Sequence, residues 1–340
     1  MEKTLDAKLA ALRIDPTSRV FILADAKDAD MAFGISAPGR ALDGRVRSLT
    51  EYRDQMREIV SQGLVDIELM SASTSEILTI RERIFDSSAV TPAVRANDTT
   101  DVHIIRGGQY ATAPSRPFAS ATLDHIQAGK SPSSDADRRL GANLGLYSVT
   151  FNNHLENDLR VLEAYKAFRL EAEERNFCHF LEVFHPNVPA NVHGIAPEDI
   201  PFFVNDHIVR LLAGVPSSSR PLFLKIPYAG PRALEELCAY DSSLVVGVLG
   251  GSAGTTHDAF SLVYEAKRYG ARVALFGRKI NAAEDQLSFV QLLRLVADDQ
   301  IIPAEAVKSY HAALKAKGIL ARRSLDQDLE LTSTYANYGG

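Results

Sequence analysis

Pro221–Pro227 reads PLFLKIP. In an extended strand successive side chains alternate faces, so Leu222, Leu224 and Ile226 share one side and Phe223 and Lys225 the other. Apart from the lysine both sides are apolar, the pattern of a strand covered on both faces. Seven more runs of this kind stand at Val20–Ala24, Leu64–Met70, Val90–Ala96, Gly145–Phe151, His179–Phe184, Leu244–Leu249 and Arg272–Phe276.

Segments of helical period separate the runs. Leu155–Arg175 aligns Leu159, Leu162, Tyr165, Phe168 and Ala172 on one stripe, and His257–Tyr269 gathers Phe260, Val263 and Tyr264. Asn281 with Glu284 resembles a capping box opening the helix that carries Leu287, Val290 and Leu293. Pro303 suits the first turn of a further helix, which Gly318 ends. Alternating strands and helices imply parallel strands joined by crossover helices. Eight such units favour closure into an α/β (β/α)8 TIM barrel, read here as one domain spanning residues 1–340.

Two segments depart from the repeat. Residues 97–144 are too long for a plain loop and read as an insertion after strand three, on the face where barrel active sites sit. The tail 319–340 has little apolar pattern and is expected to be mobile or to drape over a neighbouring subunit of a homo-oligomer.

A net charge of -6 and a pI near 5.9 argue against nucleic-acid and anionic-membrane partners, leaving a small molecule as the expected partner. Cys178 and Cys238 lie far apart without metal-type spacing, which fits a reducing compartment. The N-terminus lacks a signal-peptide pattern and no apolar run approaches the ~18 residues of a membrane span, so the cytoplasm is the expected location.

Lys225 is the outstanding residue. An ammonium inside a buried strand is costly, and desolvation favours the neutral amine that attacks a carbonyl. The bland alternative is a strand-end lysine paired with Glu182. In HFLEVFHPN, Glu182 shares a face with Phe180 and Phe184, and strands five and six would bring it to Lys225 as an acid/base. Asp25 closes strand one in FILADAKDAD and either orients substrate or caps a turn. Lys27 is a rival nucleophile in a setting that reads as solvated. Glu68, Arg95 and Asp98 divide evenly between site and surface. His154 and His185 read as loop residues, and without HxH or HExxH spacing no metal is expected. After strand seven GGSAGTTHD, and after strand eight FGRKI, read as glycine turns exposing backbone N–H groups to an anion, with Arg278 adding a bidentate contact.

On these residues the chain resembles the class I, Schiff-base aldolase family that includes tagatose-1,6-bisphosphate, archaeal-type fructose-bisphosphate and deoxyribose-phosphate aldolases. LFLKIPYAG resembles the family's strand-six segment, which implies Lys225 as the Schiff-base lysine. FLEV implies an acid/base role for Glu182, and ILADAKD a site role for Asp25. LGGSAGTTHDAF and ALFGRKI imply phosphate contacts at Gly250, Gly251, Ser252, Gly277 and Arg278. The tagatose-bisphosphate branch carries a second lysine on strand four, where this chain reads GLYSVTFNN with Ser148 and Thr150. The implied function is cleavage of a phosphorylated or acidic sugar without cofactor or metal. The rival expectations are a sugar-phosphate isomerase or epimerase using Glu182 as base, and a non-catalytic sugar-phosphate sensor.

Overall fold

Eight parallel strands close into a barrel in a computed structural model of the chain, which describes residues 1–41, 43–251 and 254–332. They are β1 (Ile22–Lys27), β2 (Ile67–Met70), β3 (Thr91–Arg95), β4 (Leu144–Thr150), β5 (Cys178–Phe184), β6 (Leu224–Pro227), β7 (Val246–Leu249) and β8 (Val273–Phe276). Each pairs with its neighbours in chain order, and β8 closes on β1 through Ile22 opposite Val273. All eight apolar runs contribute a barrel strand. The expected run at Val20–Ala24 extends instead through Lys27, which carries two further charged residues into the sheet.

Alternation sorts the side chains into two layers. Ile22, Ala24, Ile67, Leu69, Ala93, Leu146, Phe180, Phe223, Val273 and Leu275 fill the barrel interior. Phe180 and Phe223 stack there with ring centroids 4.6 Å apart. Leu23, Met70, Val149, Leu181, Leu224, Val248 and Phe276 point outward against the helical coat. The helix Thr4–Ile14 adds Leu5, Leu9 and Leu12 to the interior cluster. Its Lys8 bonds the carbonyl of Phe21 and the carboxylate of Asp66, at the N-terminal ends of β1 and β2. This helix therefore floors the barrel, leaving the C-terminal mouth as the open end.

The helix expected after β8 begins differently. Asp285, not Asn281, caps Gln286–Ala297 by accepting from the Ser288 N–H, while Asn281 belongs to the short helix Arg278–Ala282. Between β3 and β4 the chain forms a two-stranded hairpin, Asp98–Thr99 with Pro117–Phe118, and the helix Leu123–Ala128.

As far as residue 332 the tail packs on its own chain. Helix Leu325–Leu329 leads into a strap across the N-terminus of helix Thr256–Arg268. Asp328 accepts from the Thr256 N–H at 2.8 Å, Thr255 Oγ1 donates to the Glu330 carbonyl at 2.7 Å, and the Thr332 N–H donates to Asp258 at 2.8 Å. Among the described residues no helix is long and apolar enough to cross a membrane.

Candidate active site

Register places the key pair. Glu182 on β5 lies opposite Lys225 on β6, and Ser148 on β4 opposite Glu182. All three belong to the interior-facing set and stand one step above the Phe180–Phe223 layer, toward the mouth. Lys225 Nζ is 2.6 Å from Glu182 Oε1, and both residues are buried. The other carboxylate oxygen accepts from Ser148 Oγ at 2.7 Å and lies 3.5 Å from Arg95 Nη2.

Arg95, at the end of β3, ties this carboxylate to a second one. Its Nε donates to Asp28 at 2.5 Å and its Nη1 to Ser148 Oγ at 3.0 Å. Burial alone would raise the Asp28 carboxyl, but the charges of Arg95 and then Lys225 outweigh it and hold it below its ordinary value. Asn97 fixes the β4 backbone from the side, accepting from the Ser148 N–H at 2.6 Å and donating to the Ser148 carbonyl at 2.9 Å. The result is a buried chain of alternating charge: Lys225, Glu182, Arg95, Asp28. Asp98 stands beside it, and burial, only partly offset by Arg95, pushes its carboxyl up to about 6.

A cavity of about 210 Å³ opens above Lys225. Its walls include Asp28, Arg95, Glu182, Phe184, Gly250, Gly251, Gly277 and Arg278, with Val102 and Ile104 arriving from the segment between β3 and β4. Close packing requires glycine in both turns. A Cβ at Gly250 would lie 2.1 Å from the Phe276 ring, and one at Gly277 2.2 Å from the Ala26 carbonyl oxygen. Arg278 is exposed and holds its guanidinium 5.7 Å from the centre of the Phe33 ring. Ser252 lies outside the described residues. The N-terminus of helix Thr256–Arg268 is not open to an anion as expected, because the carboxylates of Asp258 and Asp328 already accept from the N–H groups of Thr255 and Thr256.

Asp25 does not join this constellation, against the site role that the resemblance implied for it. Ala24 faces the interior, so the next residue faces out, and Asp25 pairs with Lys27 between β1 and the helices. Glu68 lies beside it on β2, fully buried and without a hydrogen-bond partner among the described residues. Burial raises both carboxyls above their ordinary range, with Lys27 offsetting part of the effect. Lys27 is thus fully buried rather than solvated, on the wrong side of the sheet for the cavity. Asp28, three residues on, is the acid that reaches the interior. The sequence signal for it was the length of β1: extending the strand past Ala24 turns Asp28 inward.

Strands three and four both reach Glu182. Ser148 on strand four donates to Glu182, and Arg95 on strand three stands behind the same carboxylate oxygen.

No protein-family model and no curated protein sequence matches the chain. Solved structures do. A fructose-bisphosphate aldolase from Slackia heliotrinireducens superposes with a TM-score of 0.61 at 13% identity, covering 94% of this chain and 92% of that one. A Schiff-base-forming fructose-1,6-bisphosphate aldolase gives 0.59 at 16% identity, with 85% and 98% covered. An archaeal fructose-1,6-bisphosphate aldolase, solved with its catalytic lysine bound covalently to the carbinolamine of its substrate, gives 0.58 at 16%, with 84% and 97% covered. At these identities the likeness is one of fold: the chain is a TIM barrel of the shape that Schiff-base aldolases share.

Proposed function

We propose that the chain is a class I aldolase that cleaves or forms a phosphorylated ketose through a Schiff base on Lys225. The observation that carries this reading is a buried lysine at the mouth of the barrel with a carboxylate 2.6 Å away and a cavity directly above it. Such a pair exchanges a proton. Glu182 takes one from the ammonium, and the neutral amine adds to the ketose carbonyl. Protonation of the resulting carbinolamine hydroxyl releases water and leaves an iminium. The bond between the carbons α and β to the iminium then breaks, its electron pair passing to the iminium to form an enamine, and loss of the proton from the hydroxyl on the β carbon completes an aldehyde. Protonation of the enamine and hydrolysis of the regenerated iminium then free the second product. Arg95 and Ser148 hold Glu182 in place throughout, and neither a metal nor an organic cofactor enters these steps. Gly250, Gly251, Gly277 and Arg278 surround the same cavity, and Arg278 brings to it the charge that a phosphate needs.

Borohydride trapping with ketose phosphates, followed by peptide mass mapping, tests the reading. Reduction should leave a secondary amine at Lys225. Lys225→Met, which keeps the apolar stem, should abolish trapping and turnover. Glu182→Gln should still form the imine while turnover falls by about 10²–10⁴, the usual worth of general acid–base help. Near-normal turnover in Lys225→Met would end the hypothesis. Turnover of a sugar phosphate without any trapped amine would favour an isomerase that uses Glu182 as its base.

A further inference from the structure

A second and larger cavity, about 770 Å³, adjoins the lysine pocket across Phe33 and Arg278. Its size is that of a site for a whole organic ligand. It is formed by the chain after β1, the short helix Arg278–Ala282 and residues 320–322. Apolar groups such as Phe33, Ala37 and Ala321 cover much of its wall, and three arginines enter it: Arg40, Arg278 and Arg322. A fourth, Arg47, stands behind the wall and donates to the carbonyls of Pro38 and Asn281.

None of these four forms an ion pair with a carboxylate among the described residues. Arg40 donates to the Gly44 carbonyl at 2.6 Å, Arg322 to the Ala282 carbonyl at 2.5 Å, and Arg278 stacks on Phe33. Arg45, only a few residues away, shows the contrast, since it pairs with both Asp43 and Glu51. Burial first, and then the like charge of Arg322, lower the Arg47 guanidinium from its ordinary value. Guanidinium groups gathered around one cavity repel each other, and an anion among them relieves that repulsion while taking bidentate hydrogen bonds.

We propose that this cavity is a second anion-binding site, for an organic phosphate or diphosphate whose apolar body rests against Phe33, Ala37 and Ala321. Arg40 and Arg322 grip the anion, and Arg278 belongs to the walls of both cavities. Neither Arg40 nor Arg322 lines the lysine pocket. Substituting those two therefore reads this site apart from the chemistry assigned to Lys225.

Isothermal titration calorimetry on the full-length chain, with inorganic phosphate, inorganic pyrophosphate and phenyl phosphate as probes, tests the proposal. Pyrophosphate should bind wild type and Lys225→Met alike, and at least tenfold more weakly to the Arg40→Gln/Arg322→Gln double variant. Ala282→Glu places a carboxylate on an exposed residue of the same wall and should weaken pyrophosphate binding to a similar degree. That variant keeps the test open if loss of the arginines impairs folding. Phenyl phosphate should bind more tightly than inorganic phosphate. Absence of pyrophosphate binding to wild type, or equal affinity in wild type and both wall variants, overturns the site. Loss of binding in Lys225→Met alone would put the anion in the lysine pocket and overturn it too. Equal affinity for phenyl phosphate and inorganic phosphate overturns the assignment of an apolar body.

Discussion

Glu182 is held from three sides, and the three partners are not equivalent. Lys225 pairs with it at 2.6 Å, Ser148 donates a neutral hydrogen bond, and Arg95 supplies a fixed charge that also reaches Asp28. Arg95 is a positioning residue: it touches both carboxylates and Ser148 through different nitrogens of one planar fork. A lysine keeps the charge but has a single nitrogen and cannot satisfy Asp28 and Ser148 together. Arg95→Lys is therefore expected to lower kcat by about 10–100-fold, the cost of misplacing a catalytic group by about 1 Å. Borohydride trapping at Lys225 should persist and KM should change little. Equal losses in trapping and turnover would show that Arg95 serves folding rather than the placement of Glu182.

At the scale of the element, β1 decides which charges serve the cavity. Its alternation sends Asp25 and Lys27 outward, where they meet Glu68 from β2, and its continuation brings Asp28 to Arg95. The outer cluster contains two carboxylates and one cation, all fully buried. Removing the cation leaves the carboxylates uncompensated, which for a buried pair costs about 3–5 kcal/mol. Lys27→Met should lower stability by about that amount in denaturant titration. Lys225 trapping should survive in the fraction that remains folded. Loss of trapping at unchanged stability would instead make Lys27 a participant in the chemistry.

For the whole molecule, the N-terminal helix and the C-terminal strap pack at opposite ends of the barrel. The N-terminal helix floors it with Leu5, Leu9 and Leu12, and the C-terminal strap crosses the rim beside the turn after β7. Asp328 anchors the strap through the Thr256 N–H and through His311 Nε2 at 3.0 Å. Asp328→Ala removes a helix-capping carboxylate and should cost about 1–2 kcal/mol. It should also speed proteolytic cleavage between residues 323 and 332, with trapping at Lys225 retained. Unchanged protease sensitivity would show that the other bonds hold the strap without Asp328.

The barrel was legible because each strand is buried on both faces, and a run of apolar residues bounded by polar turns records that burial locally. The meeting of Glu182 and Lys225 was legible for a related reason: strand alternation fixes each side chain's face, and adjacent parallel strands bring like faces together. Arg95 and Ser148 were visible as residues but not as partners of Glu182, since the register between β3, β4 and β5 depends on the shear of the closed barrel. Asp25 and Asp28 could not be ranked without knowing where β1 ends, because one step of alternation exchanges the inner and outer face. Leu5, Leu9 and Leu12 carried a helical spacing in plain sight, yet only the open floor of a finished barrel gives that stripe something to cover. The arginine-lined cavity has no sequence signature at all. Arg40, Arg278 and Arg322 lie hundreds of positions apart at the extremes, and only closure of β8 on β1 brings their loops to one wall.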